Sequence, residues 1–330
     1  MLQRKLAHRM PFFALFLVLV AAALALMGSA GPADKSSRDA PKAKKTDYKL
    51  SQAPQSGKAE DYVGGDACFA CHQIEDAFKK NPHYSDWDNT DKPQSQRGCE
   101  SCHGPGREHI ESGGDVTKIF NYKKVRPQAV SDSCLTCHLK MQDEHANFLA
   151  SEHGLNSVAC TECHTVHTPH VQKALLKARM PALCYDCHGE VRPEFNKPFH
   201  HKVNEGLMSC ADCHNQHGGF NVRQTRDSTG TDQVCFKCHA DKMGPFVFEH
   251  APVKLEGCTL CHQPHGSVNP RLIKRAQINQ LCLECHTETP GIPEAVGVPT
   301  FHSQSTLKYT SCLTCHVNIH GSNLSPVFFE

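Results

Sequence analysis

Hydrophobic residues in this chain form one long block, followed by almost no regular pattern. Pro11 to Met27 is an apolar run, preceded by the basic stretch MLQRKLAHRM and followed by the small residues Gly28-Ser29-Ala30. That order predicts a secretory signal peptide over residues 1–30, with an uncleaved membrane anchor as the alternative, although the run is slightly short for a full span. Residues 31–61 are rich in Ala, Lys, Ser and Pro and have little to bury, so they read as a flexible linker. A basic docking arm is the functional alternative for that stretch. From Tyr62 onward neither a sustained helical period nor strand alternation is present, and Gly and Pro interrupt the segments often. Gln172 to Met180 and Arg271 to Leu281 are the better helix candidates. A chain with so little patterned apolar surface needs a core from another source.

The cysteines indicate that source. The frame Cys-x-x-Cys-His occurs ten times and uses all 20 cysteines. The first five copies are Cys68, Cys71, His72; Cys99, Cys102, His103; Cys134, Cys137, His138; Cys160, Cys163, His164; and Cys184, Cys187, His188. The second five are Cys210, Cys213, His214; Cys235, Cys238, His239; Cys258, Cys261, His262; Cys282, Cys285, His286; and Cys312, Cys315, His316. On one helical turn, residues i and i+3 share a face. Both thiols can therefore bond one edge of a haem while the histidine points at the iron, which is the c-type attachment signature. Disulfides and zinc ribbons also use paired cysteines, but neither requires a histidine after every second one. The expectation is ten covalently bound c-type haems, attached outside the cytoplasm. The predicted fold class is a multihaem cytochrome c: short α-helices and irregular loops around an extended chain of ten haems, with almost no β-sheet.

The remaining histidines reveal a repeat. Motifs two, four, six, eight and ten are each followed closely by a histidine (His109, His167, His217, His265, His320) and each preceded by one (His83, His153, His201, His250, His302). The odd motifs have neither. The unit is thus a two-haem repeat, copied five times over residues 62–325 and followed by a tail at 326–330. Of the 24 histidines, ten close a motif and His8 lies in the predicted signal peptide, leaving thirteen for ten distal iron positions. The ten at repeat positions are the predicted distal ligands, and His145, His170 and His200 are the surplus. His265 follows His262 by three residues and emerges from the same side of the backbone, so it is expected to serve a neighbouring haem. Met141, Met180, Met208 and Met243 occupy no repeating position and read as packing residues.

Two protein ligands leave an iron no open site, so the expected role is electron transfer, with no catalytic residues. A catalytic haem would be betrayed by a lysine in place of the motif histidine or by a missing distal partner, and all ten motifs end in histidine. A formal charge of +1 and a sequence pI of about 7.6 provide no electrostatic case for a nucleic-acid partner.

Cys235 to Gly266 (CFKCHADKMGPFVFEHAPVKLEGCTLCHQPHG), Ser311 to Asn323 (SCLTCHVNIHGSN) and Cys99 to Gly106 (CESCHGPG) resemble the periplasmic decahaem cytochromes of the MtrA/DmsE family. The resemblance covers roughly residues 62 to 325. It implies bis-histidine haems and a periplasmic protein associated with the outer membrane. It also implies insertion into an outer-membrane β-barrel porin, linking periplasmic or inner-membrane electron donors to an extracellular multihaem cytochrome. It supports nine of the ten distal positions; His302 rests on the internal repeat alone, because Thr287 to Thr310 departs from the family pattern. A periplasmic shuttle to a separate terminal reductase uses the same haem chain and is the alternative; a multihaem reductase and a filament subunit rank below it.

Overall fold

The computed structural model describes residues 57–87, 89–139, 145, 147–171, 173–219, 221–226, 232–286 and 311–329. Its helices are short, most of them a single turn, and the longest is Pro127–His138 with 12 residues. Pro127 begins that helix with a preset φ and no N–H to leave unpaired. His138, the third motif histidine, ends it. No strand is formed among the described residues, and pairing is limited to isolated antiparallel bridges such as Phe199 with Ser267 and Phe248 with Ser322.

Each attachment motif folds as one helical turn. In the nine motifs outside the long helix, the histidine N–H donates to the carbonyl of the first cysteine at 2.9–3.0 Å. This closes an i to i+4 ring and puts both thiols on one side. The two predicted helices come out differently. In the predicted helix Gln172 to Met180, Gln172 lies outside the described residues and residues 173–180 do not form an α-helix, because Ala174 and Leu175 both take left-handed backbone conformations, with φ of 63° and 51°. In Arg271 to Leu281 only the C-terminal part is α-helical, as Ile278–Leu283, while Arg271 and Leu272 are left-handed at 58° and 60°. Both stretches satisfy a histidine in place of their own helical ladder, as described below.

Apolar packing is sparse. Eleven hydrophobic side chains are buried among the described residues, from Tyr62 to Ile273, and only one cluster is extensive. There Trp87 stacks on Phe69 at 5.0 Å and on Tyr84 at 5.6 Å, beside Phe78. Glu100, 1% exposed, ties that end together. Its carboxylate accepts from the backbone N–H groups of Val63, Gly64 and Gly106 at 2.8–3.0 Å, joining the segment before the first motif to the loop after the second. No described helix is long and apolar enough to cross a membrane, and Pro11 to Met27 lies outside the described residues.

Candidate haem sites

The twenty cysteines are all free thiols, arranged as a file. Within each two-haem repeat the first cysteines of the two motifs approach within hydrogen-bonding reach. The pairs are Cys68 with Cys99, Cys134 with Cys160, Cys184 with Cys210, Cys235 with Cys258, and Cys282 with Cys312. Sharing a proton with its neighbour pulls the Cys160 thiol down to about 6 and Cys210 down to about 7. In a haem-bearing protein these sulfurs are thioethers and do not titrate, so what carries over is their placement. Between repeats the second cysteines take over. Cys102 senses Cys137, Cys163 senses Cys187, Cys213 senses Cys238, and Cys261 senses Cys285. The ten motifs therefore neighbour one another in sequence order.

The histidines fall into facing pairs. With metal–nitrogen bonds of about 2 Å, two imidazoles on opposite sides of one iron hold their ring centroids about 6 Å apart. Nine motif histidines each face one repeat-position histidine at that span. The even-numbered motifs pair His103 with His167 at 6.0 Å, His164 with His217 at 5.9 Å, His214 with His265 at 6.1 Å and His262 with His320 at 6.1 Å. The odd-numbered ones pair His72 with His109 at 6.3 Å, His138 with His83 at 6.0 Å, His188 with His153 at 6.0 Å, His239 with His201 at 6.3 Å and His286 with His250 at 6.2 Å. His316 is the tenth motif histidine, and His302 lies outside the described residues.

The pairing crosses repeat boundaries. The histidine after an even motif faces the even motif of the preceding repeat, and the histidine before an even motif faces the odd motif of the next repeat. At the N-terminal end, where no repeat precedes, His109 turns to His72 of its own repeat.

Nδ1 hydrogen bonds hold the rings in place. His164 is bonded to the carbonyl of left-handed Ala174 at 2.7 Å, His214 to that of left-handed Arg223 at 3.0 Å, and His262 to that of left-handed Arg271 at 2.8 Å. His103 uses Phe120 O at 2.9 Å, and His316 uses Val327 O at 2.6 Å. Each bond leaves Nε2 as the metal-binding nitrogen. The left-handed pairs recur in the second, third and fourth repeats, and the first of them accounts for the missing helix over residues 173–180, where the chain turns to present a carbonyl. No sequence signal marks them, since none of these residues is glycine.

A second set of bonds couples candidate ligands of adjacent sites. His153 is bonded to Gln216 O at 3.0 Å and His201 to Pro264 O at 2.6 Å, the residues just before His217 and His265. At the first boundary Asn81 relays the same link, with its amide on Val166 O and its Oδ1 3.0 Å from His83 Nδ1. Close backbone approach at these junctions requires glycine: a Cβ on Gly266 would lie 2.0 Å from Glu194 O, and one on Gly321 would lie 2.1 Å from the Phe246 ring.

Burial pushes the His83, His103, His164, His167, His214 and His250 imidazoles below their ordinary range, and His320 down to about 4. Neutral imidazole is the metal-binding form, so the donor set fits a haem iron. Of the surplus histidines, His200 is occupied on both nitrogens, by Lys197 O at 2.5 Å and Glu205 Oε1 at 2.9 Å. His145 lies between His138 at 5.2 Å and His217 at 4.1 Å, nearer to each than the iron span.

Helical turns carrying Cys-x-x-Cys-His, arranged in a file with no sheet, define a multihaem c-type cytochrome. Two family descriptions match: the doubled CXXCH motif over residues 153–193, 200–244 and 250–291, and cytochrome c554 and c-prime over 33–104 and 109–165. The multihaem cytochrome MtrA of Shewanella baltica is 31% identical over 275 residues, 79% of this chain and 79% of that protein. The cytochrome c-type protein NrfB of Escherichia coli is 31% identical over 135 residues, 39% of this chain and 69% of that protein. The chain belongs to the MtrA family of multihaem c-type cytochromes, with covalently bound haem and electron transfer as its function.

Proposed function

We propose that this chain carries ten bis-histidine haems and relays electrons along its own length between periplasmic donors and an extracellular multihaem cytochrome, held in an outer-membrane porin. The carrying observation is the set of nine histidine pairs spanning 5.9–6.3 Å, distributed over motifs that neighbour one another in order. The motif histidines are the proximal ligands and the facing ones the distal ligands. His302 serves the iron at His316, mirroring the way His109 closes the N-terminal end. Ligands donated across repeats stitch five otherwise weakly packed units into one body, and the Nδ1 bonds fix ring orientation and potential. Likeness to MtrA over most of both chains supports the conduit. The shorter stretch shared with NrfB favours a second reading, a periplasmic shuttle to a separate terminal reductase.

Solubilised outer membranes decide between the two. Co-purification of the decahaem chain with a β-barrel protein is the expected result, and recovery of all the cytochrome in the soluble periplasmic fraction would sink the conduit. Carbon monoxide added to the reduced holoprotein is expected to leave the spectrum unchanged, since no iron has an open position; binding by even one haem would instead point to a catalytic site. His145→Ala is expected to retain ten low-spin haems by electron paramagnetic resonance. Loss of one would make His145, not His83, the ligand opposite His138.

A further inference from the structure

The His214–His265 site differs from the others in what holds its distal ligand. Carbonyl or amide oxygens lie on the Nδ1 atoms of His83, His109, His153 and His201, whereas His265 Nδ1 lies 2.7 Å from the carboxylate Oε2 of Glu194. The contact is built from several sides. Gly266 lets its backbone pass against Glu194 O, the Phe195 ring lies 5.0 Å from the His265 ring, and Lys197 Nζ donates to Gly266 O at 3.2 Å. At the matching place beside His217, Gly218 lies against the carbonyl of Asn147, a neutral residue. Glu190 comes no closer than 3.5 Å to His188, and both side chains are mostly exposed. The opposing His214 is also bonded, to Arg223 O at 3.0 Å, so both imidazoles of this pair have Nδ1 engaged, one of them by an anion.

We propose that Glu194 is a positioning residue that lowers the potential of the haem attached at Cys210 and Cys213. A carboxylate accepting the Nδ1 proton raises the electron density at Nε2 and adds negative charge near the iron. Both favour the oxidised state, which carries one more positive charge than the reduced state. The inference rests on the ligation read above. It implies that the sixth of ten stations sits lower than it would with a neutral acceptor behind its distal ligand.

Optical redox titration of the holoprotein tests it. In Glu194→Gln, one haem of the ten is expected to move to a higher potential while the other nine stay in place. Glu205→Gln removes the carboxylate from His200, which faces no motif histidine in these pairs, and is expected to leave the curve unchanged. A Glu194→Gln curve that coincides with wild type, or a uniform shift shared by both variants, overturns the tuning role. His265→Ala separates the two layers of the argument. If all ten haems stay low-spin, the ligand assignment itself falls; one high-spin haem together with an unmoved Glu194→Gln curve removes only the role of Glu194.

Discussion

Produced without covalent haem attachment, the exported chain is expected to stay unfolded: circular dichroism shows no cooperative thermal transition, and limited proteolysis cuts throughout residues 62–325. The physical reason is the small apolar core. Eleven hydrophobic side chains are buried among the described residues, too few to offset the conformational entropy of ordering a chain this long. One-turn helices add little, because helix nucleation is unfavourable and each turn is too short to recover that cost by propagation. Haem would supply both missing terms, apolar surface between the loops and, on the proposed ligation, iron–imidazole bonds that mostly bridge separate repeats. A cooperative transition in the haem-free chain would show that the side-chain contacts, such as the Trp87 cluster and the Glu100 carboxylate, suffice by themselves.

Cys258→Ala together with Cys261→Ala is expected to yield a protein with nine haems, in which electrons no longer pass efficiently from one end to the other. These cysteines sit within the file, Cys258 beside Cys235 and Cys261 beside Cys285, so their loss opens a gap between the seventh and ninth motifs. On the proposed ligation His262 and His320 also lose their common iron, and with it one of the links between the fourth and fifth repeats. The matching change at Cys68 and Cys71 removes an end station and shortens the path without interrupting it. Pyridine haemochrome analysis counts the haems, and stopped-flow or film voltammetry follows the transfer. An interior variant that conducts as fast as the end variant would refute a linear file.

Much of this was legible in one dimension. Haem attachment was readable because the bond-forming chemistry demands two thiols and an imidazole within five residues, leaving no freedom to scatter them. The absence of sheet followed from the lack of alternation. Partner choice was not legible. The spacing of His265 from His262 argues against a shared iron, and the facing ring of His214 agrees with that argument, but nothing in the order of residues says that His201 faces His239 while His217 faces His164. The stretch from Gln172 to Met180 misleads for a related reason: its local composition favours a helix, yet the His164 ring needs an acceptor, and the backbone turns left-handed at Ala174 to provide one.

By itself, then, the sequence determined that the chain is a multihaem c-type cytochrome with ten attachment motifs, and which histidines stand beside them, because an attachment motif is a local matter. Only the tertiary structure decided that histidines face one another across repeats, that left-handed loops orient several of the rings, and that the Glu194 carboxylate stands behind His265. Those contacts join residues up to 71 positions apart, and no local pattern encodes them. They exist because short units without cores of their own are stable only when each completes its neighbour.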